Sequence, residues 1–197
     1  MRAVREIVAT GVPLDRSDVD TDQIIPSEWL KRVERTGFGA GLFSEWRERS
    51  DFVLNQDRYA DAHVLVAGPN FGTGSSREHA VWALQDYGFQ AVISSRFADI
   101  FRNNALKGGL VPVTLPEPIV RTIMAAIEDD ASIEIVVDVV DRRVAIPAIG
   151  LDEPFVLDDY TQHRLLEGLD DIGLTEKHRD DITAFESARP AYLPSTT

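Results

Sequence analysis

Between residues 62 and 115 strand-like and helix-like runs alternate, and this alternation restricts the fold more than any other feature of the sequence. "AHVLVAG" (62–68) is a short apolar run suited to a buried strand. "SREHAVWALQDYG" then carries a helix over 76–87, "QAVISS" (90–95) a strand, "FADIFRNNALKG" (97–108) a helix and "GLVPVTL" (109–115) a third strand. Short strands separated by helices call for crossover connections. The spacing therefore predicts β-α-β units, a largely parallel core and an α/β fold. Pro112 and Pro116 put the third strand near a sheet edge or its end, because proline donates no ladder hydrogen bond.

The flanks are less regular. Residues 1–60 are loop-rich: "VATGVPL" reads as a strand into a turn, and Pro26 stops any element that Ile24 and Ile25 begin. Glycines at 37, 39 and 41 in "RTGFGAGLF" (35–43) predict a mobile loop. Downstream, a helix over 117–128 ends in "EDD", and "SIEIVVDVV" (132–140) pairs with "RRVAIPAI" (142–149) as a hairpin across Asp141 and Arg142. "EPFVLDDYTQHRLLEGL" turns from strand to helix near Asp158 or Asp159, either able to act as N-cap. A terminal helix over 175–189 is expected, with Thr175 as its cap. No linker is long enough to separate two domains. The expected organisation is one domain over 1–197 with a helical extension over about 158–197.

Composition excludes several function classes. At 197 residues and 44% hydrophobic, the chain can bury a core. Its longest apolar runs are too short for a transmembrane helix. "MRAVREIVATGVPLD" reads as no signal peptide, which implies the cytoplasm. A formal net charge of −13 makes nucleic acid and anionic membrane poor partners. Against that trend, residues 31–49 hold five basic and three acidic groups, which is either a place for a small anion or a mixed-charge surface loop. Cysteine is absent, so the chain offers no disulfide, no cysteine nucleophile and no thiolate for an iron–sulfur cluster. Its four histidines form no close pair, and no metal site is expected in it.

The chemistry concentrates in "GPNFGTGSSREHA" (68–80), between the first strand and the first helix of the alternation. Gly72 and Gly74 permit a sharp turn and a close backbone approach to a ligand. Ser75 or Ser76 can cap the helix, whose first N–H groups and dipole favour negative charge. Arg77 adds a bidentate fork for carboxylate. Two readings stand side by side: an anion or small-ligand site, or a plain capped turn in which Ser75 and Glu78 form a capping box. A nucleotide phosphate loop does not fit, since no lysine follows Gly74 and G-x-G-x-x-G is absent.

"NFGTGSSREHA" (70–80) resembles the signature of the aconitase superfamily's swivelling domain. "DVDTDQIIP" (18–26), "RTGFGAGLF" (35–43) and "SSRFADIFRNNALKGGLVPV" (94–113) match in the same register. With "DYGFQAVI" (86–93) and the C-terminal "GLDDIGLTEKHRDDITAFE", nearly the whole chain is similar to the small-subunit family of bacterial 3-isopropylmalate dehydratases. The resemblance implies a compact three-layer β/β/α swivelling domain, with a mixed sheet around the parallel β-α-β core. It also implies a partner large subunit holding a [4Fe–4S] cluster, whose open iron is a Lewis acid. The substrate is a small dicarboxylate: 2-isopropylmalate becomes 3-isopropylmalate by dehydration and rehydration, in leucine biosynthesis. The absence of cysteine here agrees with a cluster on another chain.

By the same resemblance, Ser75 matches the serine that removes the proton beside a carboxylate, and Arg77 the arginine that binds one. Ser76 is expected to hydrogen-bond substrate or orient the turn. Thr21 and Asp22 match a pair near the active site, with Asp22 read as an orienter. Arg35 and Thr36 fall in the substrate-selecting loop, where the second carboxylate contact falls to Arg35 or Arg32. His79 is read as a structural helix residue, and Asn103 and Asn104 as structural too, bridging buried backbone groups or ending a helix. Thr73 departs from relatives that carry cysteine there, a change that leaves the serines and the arginine in place. Two other functions fit part of this pattern: the small subunit of a related 2-hydroxy diacid dehydratase (homoaconitase, or a citraconate or methylmalate enzyme), and a non-catalytic carboxylate-binding module.

Overall fold

The computed structural model describes residues 1–31 and 36–189. The strands among them are β1 (Glu6–Ala9), β2 (Gly11–Leu14), β3 (Val64–Ala67), β4 (Ala91–Ser94), β5 (Val111–Thr114), β6 (Ile135–Asp138), β7 (Arg143–Ile146) and β8 (Leu151–Pro154). The helices are α1 (Thr21–Ile24), α2 (Ser44–Arg47), α3 (Glu78–Tyr87), α4 (Asp99–Gly108), α5 (Glu117–Asp129), α6 (Asp159–Glu167), α7 (Asp171–Glu176) and α8 (Arg179–Ser187). Strands β2-β3-β4-β5 form a parallel sheet in that order, with β5 at the edge where its prolines place it. Strands β1-β6-β7-β8 form a second, antiparallel sheet containing the expected hairpin. The α/β class read from the alternation therefore holds, with the parallel and antiparallel pairings divided between two sheets.

Burial explains the layering. Every residue of β2, β3 and β4 is buried, so the parallel sheet is covered on both faces. Helix α5 packs across β2, β3 and β4. Helices α3 and α4 lie against each other. They connect successive neighbouring strands, and right-handed crossovers put both on one face of the sheet. In the antiparallel sheet burial alternates, with Ile7, Ile135, Val137, Val144 and Ile146 facing the core.

"VATGVPL" is not one strand entering a turn but two strands in different sheets, parted only by Thr10. Gly11 stands at the crossing: a Cβ there would lie 2.7 Å from Ile135 Cδ1 and 2.9 Å from Ile127 Cδ1, so those side-chain ends would have to shift where β6 and α5 converge.

The glycine-rich segment is also corrected over its described part. Residues 38–41 form a 3-10 turn packed against α3, and Phe38, Leu42 and Phe43 are fully buried. The alternate glycines serve close approach here, not mobility. A Cβ on Gly39 would meet the Asp86–Tyr87 backbone at 2.8 Å, and one on Gly41 would enter the Trp29 ring. Pro26 does end the preceding element, since α1 closes at Ile24.

Towards the C-terminus, Asp158 is the N-cap of α6 and accepts from the Thr161 N–H at 2.9 Å. The single terminal helix capped by Thr175 is replaced by α7 and α8. Asp170 caps α7 by accepting from the Gly173 N–H at 2.7 Å, which leaves Thr175 inside that helix. Ile182 and Phe185 lie in α8, yet Phe185 is 70% exposed, so this face is not core. The preceding segment is tied to the body by Val4 N–H donating to the Leu165 carbonyl, and the Arg164–Asp171 ion pair joins α6 to α7.

Candidate active site

The segments leaving β2, β3 and β4 meet at the C-terminal ends of the parallel strands, where open α/β sheets place their ligands. Residues 18–21 and 70–75 are laced by backbone bonds. Val19 O accepts from Gly72 N–H at 2.7 Å and Thr73 N–H at 3.1 Å, and Thr21 N–H donates to Thr73 O at 2.8 Å. Phe71 links the same turn to the third segment: its N–H donates to Arg96 O, and its carbonyl accepts from Ala98 N–H, each at 3.0 Å. Asn70 adopts a left-handed backbone (φ 63°) and donates from Nδ2 to Asp18 Oδ1.

Both turn glycines have positive φ, 80° at Gly72 and 90° at Gly74. Their surroundings differ. A Cβ at Gly72 would sit 2.2 Å from Phe101, a buried ring under the turn, whereas at Gly74 the nearest atom is Thr21 Oγ1 at 3.3 Å. Gly72→Ala is therefore expected to destabilise the fold by about 2–4 kcal/mol, combining the left-handed backbone with an overpacked ring. Gly74→Ala should cost about 1–2 kcal/mol, from the backbone alone. Urea unfolding of the two variants checks this ordering, and equal losses would contradict it.

Neither serine caps α3, so the capping-box expectation is corrected. The helix begins at Glu78, and its N-cap is Arg77 in extended conformation, with no side-chain cap bond. The capping box in this region is instead at α1. Asp20 Oδ1 accepts from Gln23 N–H at 2.8 Å, and Gln23 Oε1 accepts from Asp20 N–H at 3.0 Å. "DTDQ" carries that signal in sequence, an Asx followed three residues on by Gln.

Ser75 is committed to Thr21. Its N–H donates to Thr21 Oγ1 at 3.2 Å, and the two hydroxyl oxygens lie 3.3 Å apart. Thr21 is 2% exposed, while Ser75 and Ser76 face solvent. Arg77 forms an ion pair with Asp22, its Nη1 on Oδ1. Thr21, Asp22, Ser75, Ser76 and Arg77 thus share one face above the strand ends. Thr36 is exposed at the start of the glycine segment, and Arg35 and Arg32 lie outside the described residues. His79 packs its ring against Phe38 (centroids 5.4 Å apart) and Trp82 (4.7 Å), which joins the glycine segment to α3. Asn103 and Asn104 lie within α4 and do not end it.

This arrangement can engage an anion. A helix start without a side-chain cap and a guanidinium favour a carboxylate, and an adjacent hydroxyl held by a buried partner can serve proton transfer. The chain has no cysteine, and among the described residues no three His, Asp or Glu side chains gather as ligands. Among the described residues, also, no helix is long and apolar enough to cross a membrane.

The chain matches the aconitase C-terminal domain family over residues 1–118. Residues 171–194 match the C-terminal domain of the 3-isopropylmalate dehydratase small subunit. Among curated relatives, the 3-isopropylmalate dehydratase small subunits of Frankia alni and Thermobifida fusca are 68% and 60% identical. The first comparison covers 94% of both chains, the second 96% of this chain and 97% of the relative. The small subunit of Rubrobacter xylanophilus is 54% identical, over 98% of each. Among solved structures, a 3-isopropylmalate dehydratase chain of Methanocaldococcus jannaschii superimposes with a TM-score of 0.68 at 26% identity, covering 91% of this chain and 98% of that one. This chain belongs to the 3-isopropylmalate dehydratase small-subunit family.

Proposed function

We propose that the chain is the small subunit of a heteromeric hydro-lyase that isomerises 2-isopropylmalate to 3-isopropylmalate in leucine biosynthesis, in the cytoplasm. It works as one swivelling-type unit with a C-terminal helical extension, closing over a site shared with a large subunit. The observation that carries this reading is the pairing of Thr21 and Asp22 with Ser75 and Arg77 on one exposed face at the strand ends. That face holds a carboxylate-binding group and a proton acceptor open to solvent, as expected of half a site.

The roles follow from the chemistry. The reaction removes a proton from carbon beside a carboxylate and expels the hydroxyl from the neighbouring carbon, then adds water back in the other orientation. Arg77 holds the substrate carboxylate, and Asp22 fixes the guanidinium for it. Ser75 takes the proton. A serine alkoxide is too unstable in water for this, so the partner must close the face and exclude solvent while nearby donors stabilise the anion. Ser76 lies beside Ser75 and is assigned a hydrogen bond to substrate. Arg35 and Thr36 belong to the substrate-selecting segment. A [4Fe–4S] cluster held by the large subunit would supply the Lewis-acid chemistry that this chain, without cysteine, does not.

Turnover by the reconstituted pair on 2-isopropylmalate, citraconate and homoaconitate tests the substrate. The expected result is a kcat/KM on 2-isopropylmalate at least about a hundredfold above the others, about 3 kcal/mol of discrimination. A preference for citraconate or homoaconitate would move the chain to a related diacid dehydratase. Calorimetric binding of a dicarboxylate by the chain alone would favour a carboxylate-binding module instead.

A further inference from the structure

Thr21 is one of two polar side chains in the buried core of the described residues, and all its hydroxyl contacts fall on a single residue. A hydroxyl has one proton and two lone pairs. One lone pair of Thr21 Oγ1 accepts the Ser75 N–H at 3.2 Å. Its proton then has two acceptors, the Ser75 carbonyl at 3.2 Å and Ser75 Oγ at 3.3 Å. Thr21 itself is only 2% exposed.

We propose that Thr21 is a positioning residue that stabilises the Ser75 oxyanion by turning its hydroxyl proton from the Ser75 carbonyl onto Ser75 Oγ. The proposal rests on Ser75 being the base. While Ser75 is neutral, Thr21 donates to the carbonyl and Ser75 can donate to the second lone pair of Thr21. While Ser75 is an alkoxide, the Thr21 proton lies on its Oγ as a charge-assisted bond. The change is a rotation about the Thr21 Cβ–Oγ1 bond and moves no heavy atom. When Ser75 takes the substrate proton, the C–H electron pair stays on the substrate carbon and Oγ gains the proton. The Thr21 hydroxyl swings back, keeping its own proton throughout.

Three features hold the oxygen in place. Thr21 N–H is anchored on Thr73 O, and the Asp20–Gln23 capping box fixes the backbone on both sides. The β-branch restricts χ1, so the buried methyl aims the hydroxyl. The Ser75 N–H bond polarises that hydroxyl and makes it a stronger donor.

The test uses the complete enzyme, this chain with its cluster-loaded large subunit. Thr21→Val keeps the shape and removes the donor. Its kcat should fall about a hundredfold, the loss expected for one oxyanion donor, with KM changed by less than about threefold. Thr21→Ser, which restores the donor, should return kcat to within about tenfold of wild type. Co-elution with the large subunit and thermal unfolding establish that each variant folds and assembles. If Thr21→Val does not assemble, Thr21→Ser decides alone, and a kcat loss beyond about a hundredfold there overturns the proposal. A Thr21→Val enzyme at wild-type kcat, with Ser75→Ala inactive, overturns the Thr21 role and leaves the base intact. A fully active Ser75→Ala removes the base itself.

Discussion

Ser75→Ala will lower kcat of the reconstituted enzyme by about 10²–10⁴-fold, the range for loss of a positioned general base, and leave assembly unchanged. The structure gives the reason for both halves. The Ser75 side chain is solvent-exposed in this chain, so removing its hydroxyl opens no cavity. The backbone bonds that shape the turn do not use that hydroxyl: Ser75 N–H still reaches Thr21 Oγ1, and Thr21 Oγ1 still reaches Ser75 O. What disappears is the proposed proton acceptor and the 3.3 Å contact between the two hydroxyls. Turnover and gel-filtration of the mixed subunits measure the two effects separately. Wild-type kcat in this variant would falsify the base assignment, whereas lost turnover with lost assembly would point to a role in holding the subunits together.

The parallel sheet was legible in sequence because its strands are apolar at nearly every position and its helices fill the gaps between them. Val64–Ala67, Ala91–Ser94 and Val111–Thr114 lie inside the predicted runs, and Pro112 correctly reports an edge. The switch between sheets at Thr10 was not legible. The chain stays extended through it, and the deciding contact, Gly11 against Ile127 and Ile135, joins residues more than a hundred positions apart in sequence. Packing misled in the same way at "GFGAGLF". Alternate glycines signal freedom locally, but here they let the segment approach the Asp86–Tyr87 backbone and the Trp29 ring.

At the site, sequence gathered Thr21, Asp22, Ser75, Ser76 and Arg77 through family resemblance, and the fold brings them to one face. Sequence spacing alone left Ser75 as either part of an anion site or a helix cap. The helix expected from residue 76 begins at Glu78, and Ser75 is bonded to Thr21, 54 positions away. Long-range partners of this kind leave no local pattern to read.

On the proposed function, this face is half of a shared site. Ser75 stands exposed, so the alkoxide needed for catalysis has no dry environment in the isolated chain. No cysteine is present to hold the cluster. The most direct measurement is isomerisation of 2-isopropylmalate by the purified chain, by the cluster-loaded large subunit, and by their mixture. The chain alone should give no detectable turnover. Turnover should appear in the mixture and saturate as the chain is titrated against a fixed amount of large subunit. Full turnover from the purified chain alone would contradict the shared site.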